Sequence, residues 1–505
     1  MNYSTYLMMV LATLPEQTDT KDKNQRKPQT LQELLAPTLQ RIDELVKNYT
    51  TKAIDPVATH NFETQLQELT REQDRLTTQW AYNRIESNVE QLPKHVVFDN
   101  ILFTRLNRKT PQNVWTLFGQ IKLWRVAYRP TDKTSEPTLF PLPLALGLVK
   151  GASPALAERV GKCMAEAGMT QKRALQRLKK EYGVGWGVVK LREVTQTAAD
   201  QLNAVRHEVQ VEQLLAWLET AACSVGRHKP LLCVGRDGVT LGMRYKGICL
   251  KEVGSTATVS VLDRRGVRLG TIYLAFTPES GQPKLSEALT KLLEEVLRRW
   301  QGDPLRLGYV TDCGDNETGY YEKTLEGMVH PVTNKPLEWI RVVDYYHLSQ
   351  RIWTMAEALF GEGQSATSWA KKMLRWLLKD GGANRVLHSA AALRDRYQLA
   401  ESALSKFANA YAYIRDRLAY CKYAEYRRVG LPCGSGVTEA ACKTVFTQRL
   451  KLSGMRWKKA GAQAILNLRV VMLSGIWDAA YQRVLNNQQQ PHVATQHPAT
   501  PTLVA

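Results

Sequence analysis

A chain of 505 residues is longer than one hydrophobic core needs, so about two to four domains are expected. Its 44% hydrophobic and 23% charged residues are ordinary for a globular protein and exclude disorder anywhere but the ends. The 68 basic side chains outnumber the 48 acidic ones, leaving +20. That excess favours a polyanionic partner, because each cation laid on a phosphate releases a condensed counterion, although a membrane-surface binder would share it.

The cysteines at 163, 223, 233, 249, 313, 421, 433 and 442 are scattered, and no two are spaced as CxxC. Reduced thiols in a cytoplasmic protein are expected, with neither a disulfide framework nor a zinc ribbon. The apolar run from Tyr6 to Leu14 lacks a basic flank and a small-residue cleavage site, and no segment is apolar enough to span a bilayer, so no membrane partner is expected.

In chain order, residues 1–30 are predicted to be a flexible N-terminus, with a polar linker from Glu16 to Thr30. Residues 31–95 are predicted to be helical, since Leu31, Leu34, Leu35, Ile42, Leu45, Val46 and Tyr49 recur at three and four. A second helix carries Phe62, Leu66, Leu69, Leu76 and Trp80, a stripe that suits core packing or self-association into a homo-oligomer.

Residues 96–225 are predicted to form a DNA-binding region. The run from Val114 to Tyr128 alternates and is rich in β-branched and aromatic residues, as a strand or hairpin requires. Ser153-Pro154 and Thr170 are helix-start signals, so a helix-turn-helix-like cluster follows the hairpin. Lys172, Arg173 and Arg177 make its middle helix basic and are candidate DNA contacts, although three-helix clusters are often merely structural.

Residues 226–485 carry the candidate chemistry, and the tail 486–505 is predicted to be disordered. Three strands, a helix, a strand, a helix and a strand are predicted in turn, which is the order of an α/β, RNase H-like core with a mixed sheet. Asp237 lies on the first strand and Asp312 ends the fourth, so the two acids can meet over one sheet edge. Hard cations held there by oxygen ligands, about 3.5–4 Å apart, would clamp an in-line phosphoryl transfer.

A third carboxylate should come from a helix packed behind the first strand. Glu439 follows a GSG turn, and the stretch after it carries Lys443, Arg449, Lys451, Arg456, Lys458 and Lys459 with no acid. A metal ligand among DNA-holding cations fits this pattern, and so would a capping Glu on a basic helix.

RDG at Asp237, TDCGD at Asp312, VVDYYHLSQR around His347, GSGVTEAACKTVFTQRLKLSGMRW and GAQAILNLRVVMLSGIWD stand in series. Together they resemble the motifs of DDE-type insertion-sequence transposases of the ISKra-type group, over about residues 95 to 485. The resemblance implies that Asp237, Asp312 and Glu439 are catalytic and bind two magnesium ions, for which manganese may substitute. The spacing of these acids, 75 and then 127 residues, leaves room for a helical insertion between about 345 and 432, which would cover bound DNA or serve as a stabilising appendage, and the partners implied are transposon ends and target DNA.

Related sequences often carry paired CxxC motifs near the hairpin, whereas Tyr128 to Leu148 has no cysteine, so no zinc is predicted. Within TDCGDNE, Asp315 or Glu317 could compete with Asp312, which is preferred because it ends a hydrophobic strand. An orienting or packing role is expected for His347, and core packing for Trp353, Trp369 and Trp376. The expected activity is cleavage that frees a 3′-OH, then transfer of that end to target DNA. The alternatives are an RNase H-fold nuclease without strand transfer and a domesticated, non-catalytic DNA-binding protein.

Overall fold

The computed structural model describes residues 1–13, 30–51, 53–86, 88–132 and 136–494. The expected linker before Thr30 and the tail beyond 494 lie outside them. The chain divides into two compact units. The first comprises Met1–Met164, Met169–Gln201 and Tyr481–Ala505, and the second Ala165–Gly168 and Leu202–Ala480.

The first unit pairs a helical hairpin with an antiparallel sheet. Helix Leu31–Thr50 starts at a capping box, in which the Thr30 hydroxyl accepts the Glu33 N–H at 3.1 Å. Helix Pro56–Ile85 is capped by Asp55, and Tyr49 stacks on Phe62 with ring centroids 4.3 Å apart. Strands β1 (His95–Phe98), β2 (Ile101–Thr116) and β3 (Gly119–Pro130) run in the order β3-β2-β1, and His492–Val493 pairs with β1 at the far edge.

Two expectations for the chain ends are corrected by this sheet. Residues Tyr3–Thr13 form a helix, because Tyr3 and Leu7 bury themselves against Val96, Phe103 and Tyr128. The tail from Asn486 contains a strand, because its backbone at His492 and Val493 finds partners on Val97 and Val96.

The three helices expected here are Pro154–Ala165, Gln171–Tyr182 and the start of Val188–Cys223. Thr170 caps the second helix by accepting the Arg173 N–H at 3.2 Å, and left-handed Gly183 ends it. That helix buries Ala174 and Leu178 and leaves Lys172, Arg173 and Arg177 exposed.

The second unit is mixed α/β. Its strands are β4 (Leu231–Tyr245), β5 (Ile248–Leu262), β6 (Arg268–Phe276), β7 (Arg306–Thr311) and β8 (Trp339–Val343), in the order β6-β5-β4-β7-β8. The first three are antiparallel neighbours, whereas β7 joins β4 and β8 joins β7 in parallel. Helix Pro283–Arg299 makes the crossover from β6 to β7 and buries Leu285, Leu289, Leu292, Leu293 and Val296 along one stripe.

After β8 the chain forms helices Tyr345–Phe360, Gln364–Leu377, Gly382–Arg396, Glu401–Arg415 and Tyr423–Arg428. Their shared core includes Leu348, Ile352, Trp369, Met373 and Phe407, and Trp353 and Trp376 pack against it, as expected of core tryptophans. Among the described residues no single helix is long and apolar enough to cross a membrane.

Candidate active site

Parallel pairing sets the middle of β4 beside the ends of β7 and β8. Val234 on β4 faces Tyr309 on β7, and counting three residues on along each chain brings Asp237 level with Asp312. Thr311 faces Val343 on β8, so Asp344 is level with Asp312 in turn. The carboxyl ends of parallel strands are where open α/β sheets present their chemistry.

Glu439 reaches this edge because the first strand has almost no surface behind it at Gly235. A Cβ there would lie 2.0 Å from the Thr438 hydroxyl oxygen, so glycine alone lets helix Gly436–Ala441 press onto β4. Thr438 and Thr258 on β5 lock that contact through hydroxyls 2.8 Å apart. Four residues after Thr438, Cys442 donates its thiol hydrogen to Asp237 Oδ2 at 3.1 Å.

Asp312 sits in a tight turn. Its Oδ1 accepts the Gly314 N–H at 3.1 Å, and Cys313 is left-handed at φ 60° without being glycine. Tyr413 donates its hydroxyl hydrogen to the Asp312 carbonyl at 2.6 Å, and Arg417 donates to the Cys313 carbonyl at 3.0 Å. The helical insertion therefore grips the turn that carries the second acid.

The partly exposed Glu439 side chain meets His347 Nε2 at 3.1 Å through Oε1. His347 occupies the first turn of Tyr345–Phe360. A groove of 690 Å³ opens beside Glu439, lined by Asp344, Tyr345, Tyr346, Arg427 and Gly434.

Electrostatics tie these groups into one neighbourhood. Burial raises the Asp237 carboxyl above its ordinary range and the nearby Asp312 charge adds to this, while the bonds from Cys442 and Gly238 and the charge of His347 oppose it. Burial also raises the Cys442 thiol, followed by the charges of Asp237, Glu439 and Asp312. Glu317 is buried and likewise raised, first by desolvation and then by Asp312 and Asp237, whereas Asp315 is exposed.

Asp237, Asp312 and Glu439 offer the hard oxygen donors that divalent cations such as magnesium take. Among the described residues no three His, Cys, Asp or Glu side chains converge as ready ligands. Asp237 Oδ2 accepts from Cys442, and Glu439 Oε1 meets His347.

Of the basic residues singled out after Glu439, Lys443, Lys451, Arg456 and Lys458 are exposed. Arg449 is a correction. It is 1% exposed and lies over the Trp457 ring at 5.4 Å, so its guanidinium is packed into the unit instead of facing a DNA backbone. In the first unit Arg177 pairs with Glu181 at 2.8 Å.

Sequence reasoning missed Cys442 as a partner of Asp237. The signal was available, because Cys442 stands three residues after Glu439 and so shares its helical face.

No family model matches the chain. A protein of Streptococcus gallolyticus named "UPF0236 protein in vanSb 3'region" is 23% identical over 432 residues. The alignment takes in 83% of this chain and 85% of that protein, so the similarity reaches into both units.

Proposed function

We propose that this chain is a DNA transposase that cuts and rejoins phosphodiester bonds on an RNase H-like core, with Asp237, Asp312 and Glu439 as its acidic triad. The observation that carries this reading is the levelling of Asp237 with Asp312 across two parallel strands while the helix pressed onto β4 brings up Glu439. The strand order β6-β5-β4-β7-β8, with three antiparallel and two parallel members, supports the fold. The charge of +20 supports DNA as the partner.

When bound, a pair of magnesium ions supplies the positive charge that favours both the attacking and the leaving oxygen of an in-line displacement. The chain's own residues do the rest. Asp237 and Asp312 set the two anionic points from a rigid sheet edge, and Glu439 closes the third side from a helix. His347 holds the Glu439 carboxylate, while Cys442 satisfies the inward oxygen of Asp237. Lys443, Lys451, Arg456 and Lys458 offer exposed cations to phosphates and position DNA without reading its sequence.

The test is magnesium-dependent cleavage and joining of a DNA substrate carrying the ends that flank the gene. Each of Asp237→Ala, Asp312→Ala and Glu439→Ala is expected to lower the rate by more than the roughly 10–100-fold typical of outer-shell changes. Full activity in all three variants would sink the reading. Cut products without joined ones would point to a nuclease that lacks strand transfer, and DNA binding without nicking to a non-catalytic binder.

A further inference from the structure

We propose that Asp344 is a positioning residue that fixes the spacing between the Asp312 turn, His347 and Glu439, an inference that rests on the triad reading above. Asp344 is 1% exposed. Its Oδ1 accepts the backbone N–H groups of Tyr346 at 2.5 Å and His347 at 3.0 Å. Its Oδ2 accepts both the backbone N–H and the hydroxyl of Ser435.

A helix cap needs only the first two of these bonds. The second oxygen serves a different element, because the Ser435 carbonyl accepts the N–H of Thr438 at 2.7 Å and of Glu439 itself at 3.0 Å. On its main chain, the Asp344 N–H donates to the Thr311 carbonyl at 2.8 Å, one residue before Asp312. The Tyr345 N–H donates to Cys433 at 2.9 Å, drawing the loop before Glu439 against the same strand end. One buried residue thus touches all three parts of the site, its side chain holding the His347 helix and the Glu439 loop and its main chain the strand that ends before Asp312.

A carboxylate has about four acceptor positions, and four donors occupy those of Asp344. It has no free lone pair to offer a cation or a substrate, so it acts through the residues it holds. Substituting it lets the His347 helix and the Glu439 loop drift independently, and placement errors on the ångström scale are costly in such sites.

The full-length chain should be titrated with Mn2+ alone, followed by electron paramagnetic resonance, as wild type, Asp344→Asn, Asp344→Ala, Ser435→Ala and Asp237→Ala. The Asp344 variants are expected to weaken Mn2+ binding by about 10–100-fold, with Ser435→Ala moving less in the same direction. Metal-free binding to the DNA end should stay at the wild-type level. If the Asp344 variants do not fold, Ser435→Ala, which deletes one bond of the four, carries the test alone.

Wild-type Mn2+ affinity in Ser435→Ala together with Asp344→Asn overturns the proposal and leaves the triad standing. Parallel loss of Mn2+ binding, metal-free DNA binding and thermal stability also overturns it, because Asp344 would then support the fold as a whole. Wild-type protein that takes up no Mn2+, or Asp237→Ala that binds as well as wild type, sinks the triad reading and this proposal with it.

Discussion

Glu86 in the first unit and Asp237 in the second are both acids drawn out of water, and their surroundings differ in kind. Glu86 is fully buried, with Oε1 taking the Tyr3 hydroxyl at 2.5 Å and Oε2 the Val126 N–H at 2.9 Å. The charges of Lys109 and Arg125 lie close by, although burial still raises its carboxyl above the usual range. Asp237 has a thiol, a neighbouring N–H and the like charge of Asp312. The first acid is completed by its own fold and is scaffold. The second shares its surroundings with another acid, the arrangement expected of a site and not of a support.

The sharpest way to break that contrast is to remove the completed acid. Glu86→Ala strands the Tyr3 hydroxyl and the Val126 N–H and should cost about 3–5 kcal/mol in a denaturant melt, the range for breaking a buried charged network. A loss under about 1 kcal/mol would show that the enclosure of Glu86 contributes little.

Asp237→Asn should act with the opposite sign. Because the folded carboxyl is raised, the wild-type contribution to stability is fully present below the ordinary value of 3.8 and is lost as pH rises through the raised value. With chelator present, Asp237→Asn should therefore melt a few degrees above wild type near neutral pH. The two should converge in acid below the ordinary carboxyl range, and added magnesium should stabilise the wild type alone. A variant that melts lower at neutral pH would place Asp237 with Glu86.

The smallest effect separates the buried arginine from its exposed neighbours. Lys451→Ala and Arg456→Ala should each lower the slope of log affinity against log salt for duplex DNA by about 0.9. Arg449→Ala should leave that slope unchanged and instead lower stability, since its guanidinium packs over Trp457. A slope change at Arg449 would mean that its side chain leaves the core on binding.

The sheet of the second unit was legible because its strands announce themselves twice, by β-branched composition and by ending on acids. Asp312 directly follows the hydrophobic run of β7, and Asp344 that of β8. Glu439 was legible from the GSG turn and the acid-free stretch after it. What remained hidden depends on contacts between residues distant in sequence. Arg449 reads like every other cation in its stretch, and only the fold returns Trp457 over it. The strand at His492–Val493 is too short to show any period, and the docking of Tyr3 depends on Glu86, 83 residues away.

The hold of Tyr413 and Arg417 on the carbonyls of Asp312 and Cys313 has a bearing on how small this domain can become. Both residues belong to the helical segment after β8, so trimming that segment to a bare connector would keep Asp237, Asp312 and Glu439 in the chain yet release the bend on which Asp312 is mounted. The helices and the strand-end turn here form a single device, and a pared-down version would inherit the three acids without the brace that sets Asp312 in place.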